Sequence, residues 1–288
     1  MRDRFFFITS MLIFGSIGLI VRGIPLTSAQ IALIRGVIGS LFLIIAGLIM
    51  KRKPPLKAIK KNFTYLLLSG AALGFNWILL FEAYRNTTIT NATLSYYLAP
   101  VIVLFVSPFV LKERLTIKKT LCMLTSVIGM FLVIWTGGEG SIYSEEILGI
   151  GFGLGAAVLY AMVIILNKLI KEMRGLETTI IQLTMASLIL TPYVLLQGSI
   201  PIQALDTKVV ILLVLVGLLN TGVAYLLYFS SIQKLESQTV AILSYIDPVS
   251  AVAMSAIFIG EKISAIQLLG GVLILGGAFI VSLLTAPE

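Results

Sequence analysis

Ten apolar runs, each long enough to cross a lipid bilayer as a helix, follow one another along the chain. They lie approximately at 5–21, 29–50, 63–84, 91–111, 117–136, 147–170, 177–197, 208–231, 237–259 and 264–285. A spanning helix needs about 20 mostly apolar residues, so ten spans with short loops leave no room for a soluble domain. Because a helix satisfies its own backbone polar groups, it is the form such runs adopt in lipid. The predicted fold class is an all-α integral membrane protein with ten transmembrane helices.

Composition supports this fold class. Of the 288 residues, 58% are apolar and only 12% are charged, whereas soluble domains have about 45–50% and about 25%. The first run follows Arg2 and Arg4 and leads directly into a second run, without a small-residue cleavage site. We therefore interpret it as an uncleaved first helix and not as a signal peptide.

Lysine and arginine are distributed unevenly between the two sides that ten spans would define. With a cytoplasmic N-terminus, 16 of them fall on the cytoplasmic side, and the outer side receives only Arg22, Arg85, Lys208 and Lys262. An excess of basic residues in short cytoplasmic loops sets the orientation of membrane proteins. Both termini are therefore predicted to lie in the cytoplasm, with the chain in the inner cell membrane. The net charge of +8 is then a topology signal, and no nucleic-acid partner is expected.

Several kinds of chemistry are excluded by residue usage. The sequence has one cysteine, Cys122, and no histidine, which excludes an intrachain disulfide, a multi-cysteine metal site and the commonest metal ligand. It also lacks the sequence motifs of nucleotide-binding loops, hydrolases and zinc proteases. We expect no metal, no cofactor and no enzymatic activity.

An internal repeat organises the chain. A shift of 148 residues places 74–133 over 222–281 without a gap, with 12 of 60 positions identical, among them Tyr97 over Tyr245 and Pro100 over Pro248. Each half then holds an odd number of spans, so the second half enters the membrane from the opposite side. This is the inverted-repeat design of many secondary transporters. The predicted units are 1–140 and 141–288.

Asp247 is the clearest candidate for function. It lies near the middle of the ninth run, where a charged group costs about 2.5–3.5 kcal/mol on insertion scales. One interpretation is a carboxylate that faces a cavity and exchanges protons or binds a substrate amine. The alternative is a buried acid that is paired with Arg35 or hydrogen-bonded to a neighbouring helix.

Two prolines are expected to kink helices near mid-membrane. Pro100 and Pro248 lack an N–H and clash with the carbonyls of Tyr96 and Ser244. Exposed backbone at that depth is tolerated only inside protein or beside a watery cavity. The pair therefore predicts a central polar site between the halves, with a purely structural kink as the alternative.

Other polar residues inside the apolar runs are candidates for substrate binding. Arg35 either holds a substrate carboxylate, snorkels outward or neutralises Asp247. Interior aromatics and amides suit a pocket for a small amphipathic molecule, and hydrogen bonding between helices is the alternative. The candidates are Asn76, Trp77, Tyr97, Asn220, Tyr225, Tyr228, Ser244 and Tyr245. Glu113 and Glu261 fall in turns and are assigned to turn and cap chemistry, beside a capping-box pattern at Ser264 and Gln267.

The chain resembles the EamA family of the drug/metabolite transporter superfamily over essentially its full length. The resemblance rests on a paired pattern of a proline, a glutamate 13 positions later and downstream glycines: Pro100, Glu113 and Gly129, then Pro248, Glu261, Gly270 and Gly277. Arg35 resembles an arginine common in the family, and Phe14 stands where a tryptophan is often found. The resemblance implies a 5+5 inverted repeat with helices one to four and six to nine around a cavity. It also implies transport of small metabolites, often amino-acid export.

The predicted function is a secondary transporter that exports small metabolites such as amino acids by alternating access, with proton coupling through Asp247 as one option. Facilitative transport without ion coupling and a structural or receptor-like protein are the alternatives. The expected partners are a small-molecule substrate, the lipid bilayer and, under coupling, protons. A monomer or a weak homodimer is expected.

Overall fold

The computed structural model describes residues 2–51, 55–112, 116–135, 144–198, 205–232, 234–235 and 237–285. Within these ranges all regular structure is helical. The helices are α1 (Arg2–Gly15 and Ile17–Arg22), α2 (Ser28–Ile49), α3 (Phe63–Asn86), α4 (Ile89–Tyr96 and Ala99–Val110), α5 (Ile117–Trp135), α6 (Ser144–Leu169), α7 (Gly175–Gln197), α8 (Thr207–Val214, a π-helix Leu215–Val223, and Ala224–Ile232), α9 (Ser237–Ser244, Ile246–Met254 and a π-helical turn Ser255–Ile259) and α10 (Ala265–Thr285). A short helix, Leu56–Lys61, precedes α3.

The all-helical fold class is confirmed. Among the described residues, seven helices are long and apolar enough to cross a membrane: α1 to α4 and α6 to α8. The apolar stretches described in α9 and α10 are shorter, at Ile246–Ile259 and Ala265–Ile280. The count of ten spans and the side on which the termini lie stay predictions.

Side-chain caps explain where several helices begin. Thr27 and Gln30 form a capping box at the start of α2, and Ser264 and Gln267 form one at the start of α10. The Asp206 carboxylate accepts the N–H of the third residue of α8 at 2.8 Å. Such groups satisfy backbone donors that a helix leaves unpaired in its first turn. These caps fix the residue at which each helix begins.

The helices enclose one interior. α3 packs along α6, α7 and α2, while α1 packs on α8 and α9, and α2 also packs on α8. α5 and α10 pack mainly on each other and reach the rest chiefly through α4 and α9. Large apolar side chains on their outer faces are more than half exposed, including Leu121, Phe131, Leu268 and Val272. The interior is therefore bounded by α1 to α4 and α6 to α9, with α5 and α10 outside it.

A buried carboxylate joins the end of α9 to three other helices. Glu261 accepts hydrogen bonds from Arg22 Nη1 at 3.0 Å and from the backbone N–H groups of Ile89 at 2.8 Å and Thr90 at 3.2 Å. The Nε of Arg22 also donates to the Tyr84 carbonyl at 2.7 Å. The carboxylate thus neutralises an arginine and caps the positive end of α4. We call these five residues the Arg22–Glu261 cluster.

The structure shows which helix Glu261 caps. The sequence placed this residue in local turn and cap chemistry, yet the local cap is made by Ser264 and Gln267. Gly260 adopts a left-handed backbone (φ 76°) that turns the chain back after α9, a conformation that glycine adopts without steric cost. This turn directs Glu261 towards α4, 172 residues away in sequence. Glu113, its repeat counterpart, lies outside the described residues.

Glu261→Gln is expected to lower the melting temperature of the detergent-solubilised protein by several degrees. Glutamine keeps the size of the side chain and removes the charge that Arg22 and the first turn of α4 require. Hydrogen bonds to charged groups contribute about 1.5–3 kcal/mol, and the Glu261 side chain is only 7% exposed. Lys262→Gln, at an exposed neighbour, is the control. Equal melting temperatures for the two variants would show that the cluster does not stabilise the fold.

Candidate functional site

Two helices are interrupted in the interior of the bundle, each just before a proline. α4 breaks at Tyr97 and Leu98, ahead of Pro100, and α9 breaks at Tyr245, ahead of Pro248. A proline removes one backbone hydrogen bond and clashes with the carbonyl four residues earlier, so a continuous α-helix is disfavoured at both places. The two breaks bring the residues around them into one region.

Asp247 follows the break in α9 and bonds to the residue at the break in α4. Its Oδ2 accepts a hydrogen bond from the Tyr97 hydroxyl at 2.6 Å, and both side chains are half-buried. Among the described residues, Asp247 takes part in no ion pair, and its Oδ1 accepts no hydrogen bond. The carboxylate therefore has one oxygen available to a further ligand.

Arg35 lies inside the bundle with only 5% of its surface exposed. Its Nε donates to Thr221 Oγ1 at 2.7 Å. Its guanidinium carbon lies 4.3 Å from the Trp77 ring centroid and 5.7 Å from that of Phe81. Cation–π contacts of this kind contribute about 0.5–2 kcal/mol, which offsets part of the cost of a charge at membrane depth.

Two of the three sequence interpretations of Arg35 are wrong. The side chain does not snorkel to the surface, since it is buried. It does not neutralise Asp247, because no contact within ion-pair distance joins the two residues. The third interpretation, an anion-binding residue, agrees with a guanidinium whose Nη1 and Nη2 donate to no described residue.

Aromatic side chains from four helices contact one another inside the bundle. Tyr96 lies 5.4 Å from Tyr160 between ring centroids. Phe14 lies 5.2 Å from Tyr225 and 6.4 Å from Tyr228. All five are half-buried, as expected of rings that face an internal space and not a packed core. The position at which the family often has tryptophan, here Phe14, is part of this group.

Arg35 and Asp247 interact electrostatically with the same tyrosines, although no ion pair joins the two residues. Tyr84, Tyr96 and Tyr225 each lie within electrostatic range of both charges. A cation and a carboxylate thus both act on one group of tyrosines, in a low-dielectric interior that strengthens the attraction of each for an opposite charge. This arrangement fits a small molecule that carries both an anionic and a cationic group.

Other predicted residues make contacts between or within helices. Asn76 Nδ2 donates to the Ala156 carbonyl at 2.6 Å, and Asn220 Nδ2 donates to the Ile13 carbonyl. Both asparagines are fully buried, at 1% and 0% exposure. Ser244 Oγ bonds to a carbonyl of its own helix, and Tyr245 meets Phe279 edge-on at 5.4 Å. These contacts correspond to the alternative stated for the polar residues. By contrast, Trp77 contacts Arg35 and Tyr97 contacts Asp247, and the rings of Tyr225 and Tyr228 contact Phe14.

Sequence reasoning missed residues that the site uses. Tyr160 is a tyrosine inside an apolar run, and the same criterion that selected Tyr225 would have selected it. Tyr84 lies within a turn of the end of α3, where it was not distinguished from an interfacial tyrosine. Thr221 carries no visible signal, because its role depends on the register of the π-helix in α8.

Comparison with protein families adds a finding that the geometry alone does not contain. The model of the EamA-like transporter family matches residues 4–135 and again residues 147–283. The chain belongs to this family. The two matches agree with a chain built from two repeats of one unit.

Individual relatives of this EamA-like transporter are transporters by name. An uncharacterized transporter of Bacillus subtilis, YxxF, is 30% identical over 94% of the chain and 86% of that protein. A probable amino-acid metabolite efflux pump of Salmonella typhimurium is 28% identical over 60% of each chain. A solved crystal structure superimposes with a TM-score of 0.67 at 18% identity, covering 98% of the chain and 96% of that protein. It shows that the fold is shared.

Proposed function

We propose that this chain is a secondary transporter that exports a small zwitterionic metabolite, such as an amino acid, across the inner cell membrane by alternating access. The proposal includes the topology: ten spans, two inverted five-helix repeats over 1–140 and 141–288, and both termini in the cytoplasm. One observation carries it. A buried cation, Arg35, and a carboxylate, Asp247, lie inside the bundle without pairing, each within electrostatic range of Tyr84, Tyr96 and Tyr225.

The chemistry of the two charged groups matches the two ends of an amino acid. Arg35 offers two N–H-bearing nitrogens to a carboxylate, a geometry that favours bidentate binding. Asp247 offers Oδ1 to an ammonium group while Oδ2 stays bonded to Tyr97. The rings of Tyr96 and Tyr225 then pack on the apolar part of the substrate and attract its cationic end.

Proton coupling is proposed at the same carboxylate. Asp247 is bonded to a neutral hydroxyl and to no described cation, so its charge is free to be balanced by either a proton or a substrate ammonium. Competition between these two ligands couples their movements, because each site occupancy excludes the other. The outward direction is supported by the Salmonella relative, which is named an efflux pump.

Counterflow in proteoliposomes tests the proposed function. A thermal-shift screen of amino acids and related amines identifies ligands, and vesicles preloaded with each hit are assayed for uptake of its radiolabelled form. We expect exchange of at least one amino acid, with a rate that responds to an imposed pH gradient. Exchange without a pH response would support facilitative transport without ion coupling. Binding without exchange would support a receptor-like protein.

A water-accessible interior is expected around Tyr97. In a Cys122→Ser background, Tyr97→Cys should react with an aqueous thiosulfonate reagent, because the half-buried ring faces the proposed cavity. Val127 lies on the outer face of α5 and is 56% exposed. Val127→Cys is the matched control and should stay unreactive in lipid. Labelling is measured by mass spectrometry of the intact protein in vesicles. Lack of reaction at both positions would exclude a solvated path to the site.

A further inference from the structure

Thr221 occupies an unusual helical register. It lies in the π-helix Leu215–Val223 of α8, and its Oγ1 donates to the Val216 carbonyl at 2.9 Å, five residues earlier. In an α-helix a threonine hydroxyl bonds three or four residues back. The wider π-helical turn therefore rotates this hydroxyl to a direction that an α-helix would not give it.

The hydroxyl of Thr221 both accepts and donates a hydrogen bond. A guanidinium has donors only, so Thr221 Oγ1 must accept from Arg35 Nε, at 2.7 Å, while its own proton goes to Val216. Thr221 is fully buried, which removes water as a competing partner. Its hydroxyl consequently holds Arg35 at one edge.

Close packing of α2 on α8 maintains this contact. A Cβ placed on Gly39, one turn after Arg35, would lie 2.4 Å from Thr221 Cγ2. Only glycine allows the backbones to approach this far without a shift. This approach brings the Thr221 hydroxyl within hydrogen-bonding distance of Arg35 Nε.

Three side chains thus surround the Arg35 guanidinium. The Nε is bonded to Thr221, one face stacks on Trp77 and Phe81 is nearby. Nη1 and Nη2 have no hydrogen-bond partner among the described residues. A guanidinium binds a carboxylate either side-on, through Nε and one Nη, or end-on, through both Nη atoms.

From this geometry we infer that Thr221 is a positioning residue, which occupies Arg35 Nε so that the substrate carboxylate binds end-on to Nη1 and Nη2. The inference rests on the proposed function and specifies it further: the ligand is a planar, two-oxygen anion. An amine that lacks this group gains nothing from the Thr221 contact.

Thr221→Val, which removes the hydroxyl at nearly constant volume, is the central variant. We expect it to raise the apparent KM for a transported amino acid about tenfold, because the guanidinium loses the hydrogen bond that orients it. The KM of the matching decarboxylated amine should not change. Thr221→Ser should keep both values, and Thr184→Val, at a hydroxyl bonded only within its own helix, is the control. Equal changes for both substrates would overturn the inference, because a general packing defect would affect both.

Trp77 fluorescence provides a test that does not depend on transport. Trp135→Phe leaves Trp77 as the sole tryptophan, and a guanidinium stacked on the ring influences its emission. In this background, Thr221→Val should shift the emission maximum towards that of Arg35→Met, whereas Thr221→Ser should match the parent. An unchanged spectrum in Thr221→Val would show that the hydroxyl does not position Arg35. A shifted spectrum in a protein with no amino-acid exchange would refute the proposed function and retain the positioning role.

Discussion

Asp247→Asn is expected to slow amino-acid counterflow by at least about 30-fold and to abolish its response to a pH gradient. The bound substrate ammonium would lose its buried counter-charge, which costs about 2–5 kcal/mol. Asparagine keeps the size of the side chain, and its amide oxygen can still accept the hydrogen bond that the Tyr97 hydroxyl donates to Asp247 Oδ2 at 2.6 Å in the unmodified protein. It cannot take up a proton or balance a substrate ammonium. Initial rates in proteoliposomes, at several pH values, measure both effects.

Asp206→Asn is the matched control for Asp247→Asn. Asp206 is exposed and caps α8, a position at which asparagine serves as well as aspartate. Its rate and pH dependence should equal those of the unmodified protein. If Asp247→Asn behaves in the same way, the carboxylate has neither the coupling nor the amine-binding role.

Arg35→Met is expected to raise the KM of the transported amino acid about 100-fold and to leave the KM of its decarboxylated amine nearly unchanged, as removal of a buried ionic partner costs about 2–5 kcal/mol. The KM of Arg35→Lys for the amino acid should lie between those of the unmodified protein and Arg35→Met. An ammonium keeps the charge but lacks the planar group that bonds to Thr221 and a carboxylate together. Both constants come from counterflow at varied substrate concentration.

The stability of Arg35→Met separates binding from folding. Replacing a buried charge with an apolar side chain of similar length is often neutral or stabilising, so the melting temperature in detergent should not fall. Lys208→Met, at an exposed position in the first turn of α8, is the control and should leave both transport constants unchanged. Equal losses for the amino acid and the amine would show that Arg35 acts on the fold and not on the carboxylate.

The parts of the fold that could be predicted from sequence depend on local patterns. Apolar runs, the proline breaks at Tyr97 and Tyr245, and the capping box at Ser264 depend on residues close in the chain. The region around the two breaks was also predictable, because the repeat places Pro100 over Pro248. Asp247 then lies next to one break by sequence alone.

The remaining features depend on how each helix is rotated about its axis. Asn76 and Trp77 are adjacent in α3, yet one bonds to α6 and the other stacks on Arg35. Apolar residues surround both in the sequence, so no amphipathic pattern indicates which side faces the interior. Packing against α6 and α7 decides it. The helix that Glu261 caps could not be predicted for a similar reason, since α4 is distant in the chain.

The short piece of α9 that carries Asp247 lies between a helix break and a change of helix type. It spans Ile246–Met254, nine residues, between the break at Tyr245 and the π-helical turn that follows it. Regular helical hydrogen bonds cross both ends, from the Val249 N–H to the Tyr245 carbonyl and from the Ser255 N–H to the Ala251 carbonyl, and the piece packs along α1. A displacement of α1 is therefore expected to carry Asp247 with it, whereas Glu261 ties the far end of α9 to the first turn of α4.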